Sequence, residues 1–261
     1  MTRPVKPRVS IVIPVYNEGL EIVACLDRIF EATQIEAEAL VVFDSEDDET
    51  LPYLREYQER EPRLRPMLNT FGRGPAHAIH YGIVHASSPV AVVTMADGSD
   101  DPMQIDQLTR LVERGVVIAA ASRYARTGQQ VGGPAFKALL SKFAGISLYH
   151  LARVGTRDAT NSFKAYSTDF VRAVGIESDK GFEIGIELVA KARRHRLPVA
   201  EIPTIWLDRA FGISNFKLWA WIPRYVKWYA YAFGAAKPLP GFTLRPIMLN
   251  VSNDGTEGRQ P

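Results

Sequence analysis

The sequence predicts an α/β fold in which a mostly parallel sheet is flanked by helices, followed by an amphipathic aromatic helix near the C-terminus. Three observations predict it. Short, continuous apolar runs recur through the first half, from Val9–Pro14 to Val116–Ser122. Segments of helical period separate successive runs, and polar or acidic residues follow each run. Strands buried on both faces read as unbroken apolar stretches, and strands alternating with helices imply parallel pairing.

In order, Val9–Pro14 is the first strand, and Ile22, Val23, Leu26, Ile29 and Phe30 mark one face of the helix after it. Ala39–Phe43 is a second strand, ended by the acidic loop from Asp44 to Asp48, and Leu51–Glu59 is a helix. Leu64–Leu68 is a short strand, and Gly72-Arg73-Gly74 makes a tight turn into a helix reaching Ala86. Val90–Thr94 and Val116–Ser122 are strands separated by a helix that Pro102 initiates. The second half is less regular. Pro134–Val154, Asp169–Val174 and Phe182–His195 read as helices, with strands at Ser162–Tyr166 and Val199–Ile205. Beyond Lys237 the chain is rich in Pro, Gly, Asn and Thr, which predicts a partly disordered polar tail.

With 261 residues, 46% hydrophobic and 23% charged, the chain can bury a substantial core. A net charge of +2 gives no general field for nucleic acid. The single cysteine, Cys25, excludes an intramolecular disulfide and sits among apolar neighbours as a small core residue. No apolar run approaches the ~20 residues that span a bilayer, so the expectation is a cytoplasmic protein.

Ligands of open parallel sheets bind outside the carboxyl ends of the strands. There the sequence sets Tyr16, Asn17 and Glu18, then Asp44, Ser45 and Asp47, then Asp97, Asp100 and Asp101, then Ser122 and Arg123. Two readings stand side by side. Asp, Asn and Gly end strands and cap helices, which accounts well for Asp100-Asp101-Pro102. Acids gathered from three strands also repel unless a cation neutralises them, and hard oxygen ligands suit Mg²⁺ or Mn²⁺ bridging to phosphates. His77 and His80 share a helix face without a third ligand, and are read as packed or solvent-exposed. No Gly-x-Ser-x-Gly elbow occurs.

Eight segments in order resemble family 2 of the glycosyltransferases, and most closely its polyprenyl-phosphate sugar synthases. They are VSIVIPVYNEG from Val9, FDSEDDET from Phe43, GRGPAHAIHYG from Gly72, MADGSDDP from Met95, SRY from Ser122, DATNSFKAY from Asp158, GFEIGIELVAKA from Gly181 and EIPTIWLDRAFGISNFK from Glu201. The resemblance implies the Rossmann-like GT-A fold and a catalytic domain over residues 1–217, with the nucleotide-sugar part at 9–124 and the acceptor part at 125–217. It implies that Pro14, Tyr16, Glu18 and Asp44 line the nucleoside pocket, and that Asp97 ligates Mg²⁺ or Mn²⁺ between the donor phosphates, shared with Asp101, Asp100 or water. Arg123 neutralises phosphate, and Arg209, Ser214 and Lys217 grip an acceptor phosphate. Asp158 and Glu183 are candidates for positioning or deprotonating the acceptor. The chain departs from the family pattern at Met95, where the first aspartate of Asp-x-Asp is expected, and at Asn215, where a lysine is common.

The implied activity is inverting transfer of one sugar from a GDP- or UDP-linked donor to a polyprenyl phosphate at the inner face of the membrane. A soluble or saccharide hydroxyl acceptor is the alternative. A catalytically silent nucleotide-sugar-binding protein is another, motivated by Met95. Within residues 218–236, Tyr225, Val226, Tyr229 and Phe233 share a face of a helix started by Pro223, with Arg224 and Lys227 opposite and Trp228 at the border. This pattern suits a headgroup interface, a docked helix or a homo-oligomeric contact.

Overall fold

A computed structural model describes residues 6–208, 218–244 and 246; the side chains of 218–221 are outside that description. Five strands follow the expected alternation: β1 (Val9–Pro14), β2 (Ala37–Phe43), β3 (Leu64–Leu68), β4 (Val90–Val93) and β5 (Ile118–Ser122). Between them lie α1 (Glu21–Ala32), α2 (Leu51–Arg60), α3 (Pro75–Val84) and α4 (Ile105–Glu113), the last preceded by a 3-10 turn at Pro102–Gln104. Then come β6 (Gln129–Val131), α5 (Ala135–Ser147) with a π-helical turn at Leu148–Ala152, β7 (Lys164–Ser167), α6 (Thr168–Val174), α7 (Ile184–Arg194), β8 (Val199–Pro203), β9 (Ile205–Leu207) and α8 (Leu218–Ala232).

The main sheet has seven strands in the order β3-β2-β1-β4-β7-β5-β8. All its pairings are parallel except those of β7, which runs antiparallel between β4 and β5. Side-chain alternation along β1 explains the two-layer core. Val9, Ile11 and Ile13 pack with Ile22, Leu26 and Ile29 of α1, Leu54 of α2 and Leu108 of α4. Val12 faces the other layer, with Ile79 and Ile83 of α3, Phe170 of α6 and Leu188 of α7. Gly82 permits the closest approach there, since a Cβ on it would lie 2.3 Å from Val12 Cγ1. Cys25 is buried, and burial pushes its thiol up to about 12.

Three expectations need correction. The strand read as Val199–Ile205 divides at Thr204 into β8 and β9, and β9 pairs with β6 in a separate two-stranded sheet. The helix read as Pro134–Val154 changes to π geometry at Leu148. The C-terminal helix starts at Leu218, so Pro223 lies inside it. Its inner face is Trp228 and Ala232, buried in the layer that includes α7. No helix of the described residues is long and apolar enough to cross a membrane. The polar tail from residue 247 onward, and Arg209, Ser214 and Lys217, lie outside the described residues.

Candidate active site

The strand order reverses its direction of growth between β1 and β4, which opens a crevice at their carboxyl ends. Because β7 is antiparallel, the loop that enters it reaches the same edge. The result is one cleft of about 1220 Å³, lined among others by Pro14, Tyr16, Glu18, Asp44, Asp97 and Arg123. Residues that the sequence sets at separate strand ends, Asp100 included, thus line one cleft. Asp101, Asp158 and Glu183 are not among the lining residues.

The loops of the donor side are sewn together by backbone donors. Asn17, with φ at 54°, donates its N–H to Asp48 Oδ2 at 3.1 Å, and Glu18 donates to Thr50 Oγ1 at 2.9 Å. Asp44 accepts from Asn69 Nδ2 at 2.8 Å and from the Gly74 N–H at 2.6 Å. Gly74 (φ 109°) opens α3, and a Cβ there would lie 2.8 Å from the Lys180 carbonyl, so this turn requires glycine. Asp48, Thr50 and Asn69 were missed by sequence reasoning; the acidic run from Asp44 was the available signal.

At the end of β4, Asp97 accepts from the Ser99 N–H at 3.1 Å. Asp100 is buried and accepts from Thr94 Oγ1 and the Met95 N–H, both at 3.0 Å. Burial, opposed by the Met95 bond and reinforced by the charge on Asp97, pushes the Asp100 carboxyl up to about 7. Asp101 instead caps the 3-10 turn, accepting from the Met103 N–H at 3.1 Å. Among the described residues no group of three or more His, Cys, Asp or Glu is arranged to hold a metal ion. Asp97, Ser99 and Asp100 line the cleft at the end of β4 and offer hard oxygen donors there.

Across the cleft, Arg123 forks onto Asp158: Nε to Oδ2 at 2.7 Å and Nη2 to Oδ1 at 2.9 Å. Its Nη2 also reaches Ser141 Oγ at 3.2 Å, and its guanidinium lies 5.0 Å from the Tyr124 ring. Asp158 is fully buried; burial alone would raise its carboxyl, but the charge and hydrogen bonds of Arg123 hold it below the usual carboxylate range. Behind it, Lys164 is buried on β7 and donates to the carbonyls of Ala159 and Asn161, and burial lowers its ammonium to about 7. Glu183 is also buried, accepting from the Gly181 N–H at 2.9 Å at the start of α7. Both candidate acceptor bases therefore brace loops behind the cleft. At its far end the cleft turns apolar, between Leu140 and Phe143 of α5 and Tyr225, Val226 and Tyr229 of α8.

A model described as glycosyl transferase family 2 matches residues 10–175. A dolichol-phosphate mannosyltransferase of Pyrococcus furiosus is 31% identical over 214 residues, 80% of this chain and 59% of that protein. A polyprenol monophosphomannose synthase of Mycolicibacterium smegmatis is 29% identical over 215 residues, 80% of each. The chain therefore spans less than two thirds of the first relative's length. Among solved structures, glucosyl-3-phosphoglycerate synthase of Mycobacterium tuberculosis with Mn²⁺, UDP and glucosyl-3-phosphoglycerate superposes with a TM-score of 0.63 at 16% identity, covering 88% of this chain and 81% of that one. The mannosyltransferase PcManGT of Pyrobaculum calidifontis with GDP-Man and Mn²⁺ gives 0.57 at 19% identity, covering 89% and 66%. These likenesses are of fold, the GT-A fold expected from the sequence. The family match extends over well more than half of the sequence, and the chain belongs to glycosyl transferase family 2.

Proposed function

We propose that the chain moves one sugar from a GDP- or UDP-linked nucleotide-sugar to a polyprenyl phosphate of the dolichyl or undecaprenyl type, with inversion, at a membrane surface. The observation that carries this reading is the two-part cleft, acidic under β1, β2 and β4 and apolar between α5 and α8. An apolar end of that kind suits a hydrocarbon-tailed acceptor better than a small polar one. The two relatives named for lipid-phosphate mannose transfer support the acceptor, and the GDP-Man complex supports the donor.

On this reading Pro14, Tyr16 and Glu18 flank the nucleoside. Each oxygen of Asp44 already accepts one hydrogen bond and keeps a further lone pair for ribose or base. A divalent cation fits the β4 end, because the charge on Asp97 helps force Asp100 toward neutrality and a cation would relieve that repulsion. Two carboxylates, the Ser99 hydroxyl and substrate phosphates form a donor set suited to Mg²⁺ or Mn²⁺, with Asp100 compensating for Met95. When bound, the ion supplies charge stabilisation to the leaving diphosphate.

An acceptor phosphate oxygen forms its bond to the anomeric carbon as the bond to the donor diphosphate breaks, and the electron pair leaves with the nucleoside diphosphate. The acceptor is already anionic at neutral pH, so no proton has to be removed. This agrees with Asp158 and Glu183 lying behind the cleft wall. Arg123, oriented by Asp158, is proposed to face phosphate, with Arg73 and Lys137 adding positive charge to the same cleft. Arg209, Ser214 and Lys217 remain proposed acceptor contacts on the strength of the sequence resemblance. Formation of a lipid-linked sugar from a labelled nucleotide-sugar, polyprenyl phosphate and Mg²⁺ or Mn²⁺ tests the reading; no such product from any donor would exclude it.

A further inference from the structure

A second pocket, of about 690 Å³, lies where α5 and α8 lead away from the cleft, and is lined by Arg153, Arg193 and Arg196 together with Phe233 and Gly234–Ala236. Arg153 ends the π-helical turn after α5, and Arg196 lies two residues beyond α7; both have left-handed backbone, with φ of 58° and 55°. Arg193 Nε donates to the Ala152 carbonyl at 2.5 Å, and Arg194 Nε to the Ala235 carbonyl at 2.5 Å, so the pocket is fastened to both helices. None of the three lining arginines is paired with a carboxylate among the described residues. A concave cluster of guanidinium groups without carboxylate partners focuses positive potential and suits phosphate oxygens.

Between this pocket and the cleft runs an apolar strip. Phe136, Leu139, Phe143 and Leu151 are exposed on the α5 side, and Val226 and Phe233 on α8, with Phe143 at 69% and Leu151 at 70%. Ser147 Oγ and Tyr229 OH, 3.0 Å apart, tie the two helices together, and Tyr229 packs against Phe233. Single exposed apolar residues are ordinary, but a strip on adjacent helices that starts in the apolar arm of a cleft and ends at arginines is a surface.

We propose that this face seats on an anionic phospholipid bilayer, with the phosphate of one headgroup held by Arg153, Arg193 and Arg196. The inference rests on the lipid-acceptor reading, because the apolar arm of the cleft then opens onto the surface from which the acceptor is drawn. Charge favours a bilayer over a second copy of the chain. A symmetric pair would bring like arginines toward each other, whereas anionic headgroups complement them. The outer parts of α5 and α8, with the basic rim, have the amphipathic character of interfacial helices.

Co-sedimentation of the full chain with phosphatidylcholine vesicles, with and without phosphatidylglycerol, tests this. Binding is expected to rise with phosphatidylglycerol. It is expected to fall about fivefold in Arg153→Gln or Arg196→Gln, and about 25-fold in the double variant, from the usual strength of a basic side chain near an anionic surface. Leu151→Ser should weaken binding to both vesicle types, and melting curves should match the unaltered protein. Equal binding to both vesicle types, unchanged binding by the double variant, stabilisation by inorganic phosphate without vesicle preference, or a dimer dispersed by Leu151→Ser would each overturn the proposal. Turnover of detergent-dispersed polyprenyl phosphate separates the two readings. Product formation without vesicle preference defeats the docking surface alone; vesicle preference without product defeats the transferase reading and leaves the surface standing.

Discussion

Arg123 and Asp158 are joined three times: the Arg123 backbone N–H donates to Asp158 Oδ2 at 3.0 Å, and two guanidinium nitrogens reach the two carboxylate oxygens at 2.7 and 2.9 Å. Asp158 also accepts from the Asn161 N–H at 3.2 Å. One buried carboxylate thus fixes the exit of β5, the entry to β7 and the single direction in which the guanidinium faces the cleft. In the proposed transfer its role is to orient Arg123, with no proton to accept.

Asp158→Asn should therefore act through Arg123. Removing one partner of a buried pair leaves an uncompensated charge, at a cost of about 3–5 kcal/mol. Urea denaturation should show that loss, and kcat should fall while the pH–rate profile of the folded fraction keeps its shape. Full stability with disappearance of an acid limb would mean that Asp158 is the base.

The packing of α5 depends on Gly145. A Cβ there would lie 2.0 Å from the Arg157 backbone carbonyl, and backbone cannot swing aside. Alanine would gain up to ~1 kcal/mol in helix propensity, but the clash costs typically ~1–3 kcal/mol and more where nothing yields. Gly145→Ala should lower the thermal midpoint, an outcome opposite to the usual effect of Gly→Ala in a helix.

Lys164 gives a pH signature. Its ammonium is lowered by burial from 10.5 to about 7, so between those values the unfolded chain holds more protons than the folded one. Stability from this group therefore rises with pH above about 7. The raised Asp100 acts below about 7, and Cys25 begins to oppose only above its ordinary 9.0. Denaturation midpoints measured from pH 7 to 9 should climb in the unaltered protein relative to Lys164→Met; parallel curves would contradict the assignment.

Strands β1, β2, β4 and β5 were legible because burial on both faces leaves them almost wholly apolar. The start of β2 was not, since Glu38 looks like loop until Ser10, Ser87 and Arg65 are seen to donate to its carboxylate. The three-residue β6 and β9 are too short to carry a period. The strand-end acids were legible as one edge of the sheet. The Arg123–Asp158 pair was not, because it depends on β7 inserting antiparallel beside β5, which no local pattern encodes. Trp228 read as a border aromatic, yet it is 2% exposed against α7. An amphipathic pattern identifies a helix face but not what covers it.

The β4 end separates two of the proposed ligands. Asp97→Asn and Asp100→Asn should each weaken Mn²⁺ retention, followed by electron paramagnetic resonance, by about tenfold or more, on the scale of losing a supporting metal partner. Asp101→Ala should leave Mn²⁺ binding intact and cost only about 1 kcal/mol of stability as a lost cap. The reverse ranking would return Asp101 to the site and remove Asp100.

The most direct test of the central claim is the fate of a labelled sugar offered as GDP- and UDP-linked donors together with polyprenyl phosphate, a panel of hydroxyl acceptors and Mn²⁺. The account predicts label in an organic-extractable, acid-labile polyprenyl phosphate sugar, with release of one nucleoside diphosphate per transfer and loss of both in Asp97→Ala. Label found only in a water-soluble glycoside, or undiminished transfer by Asp97→Ala, would contradict it.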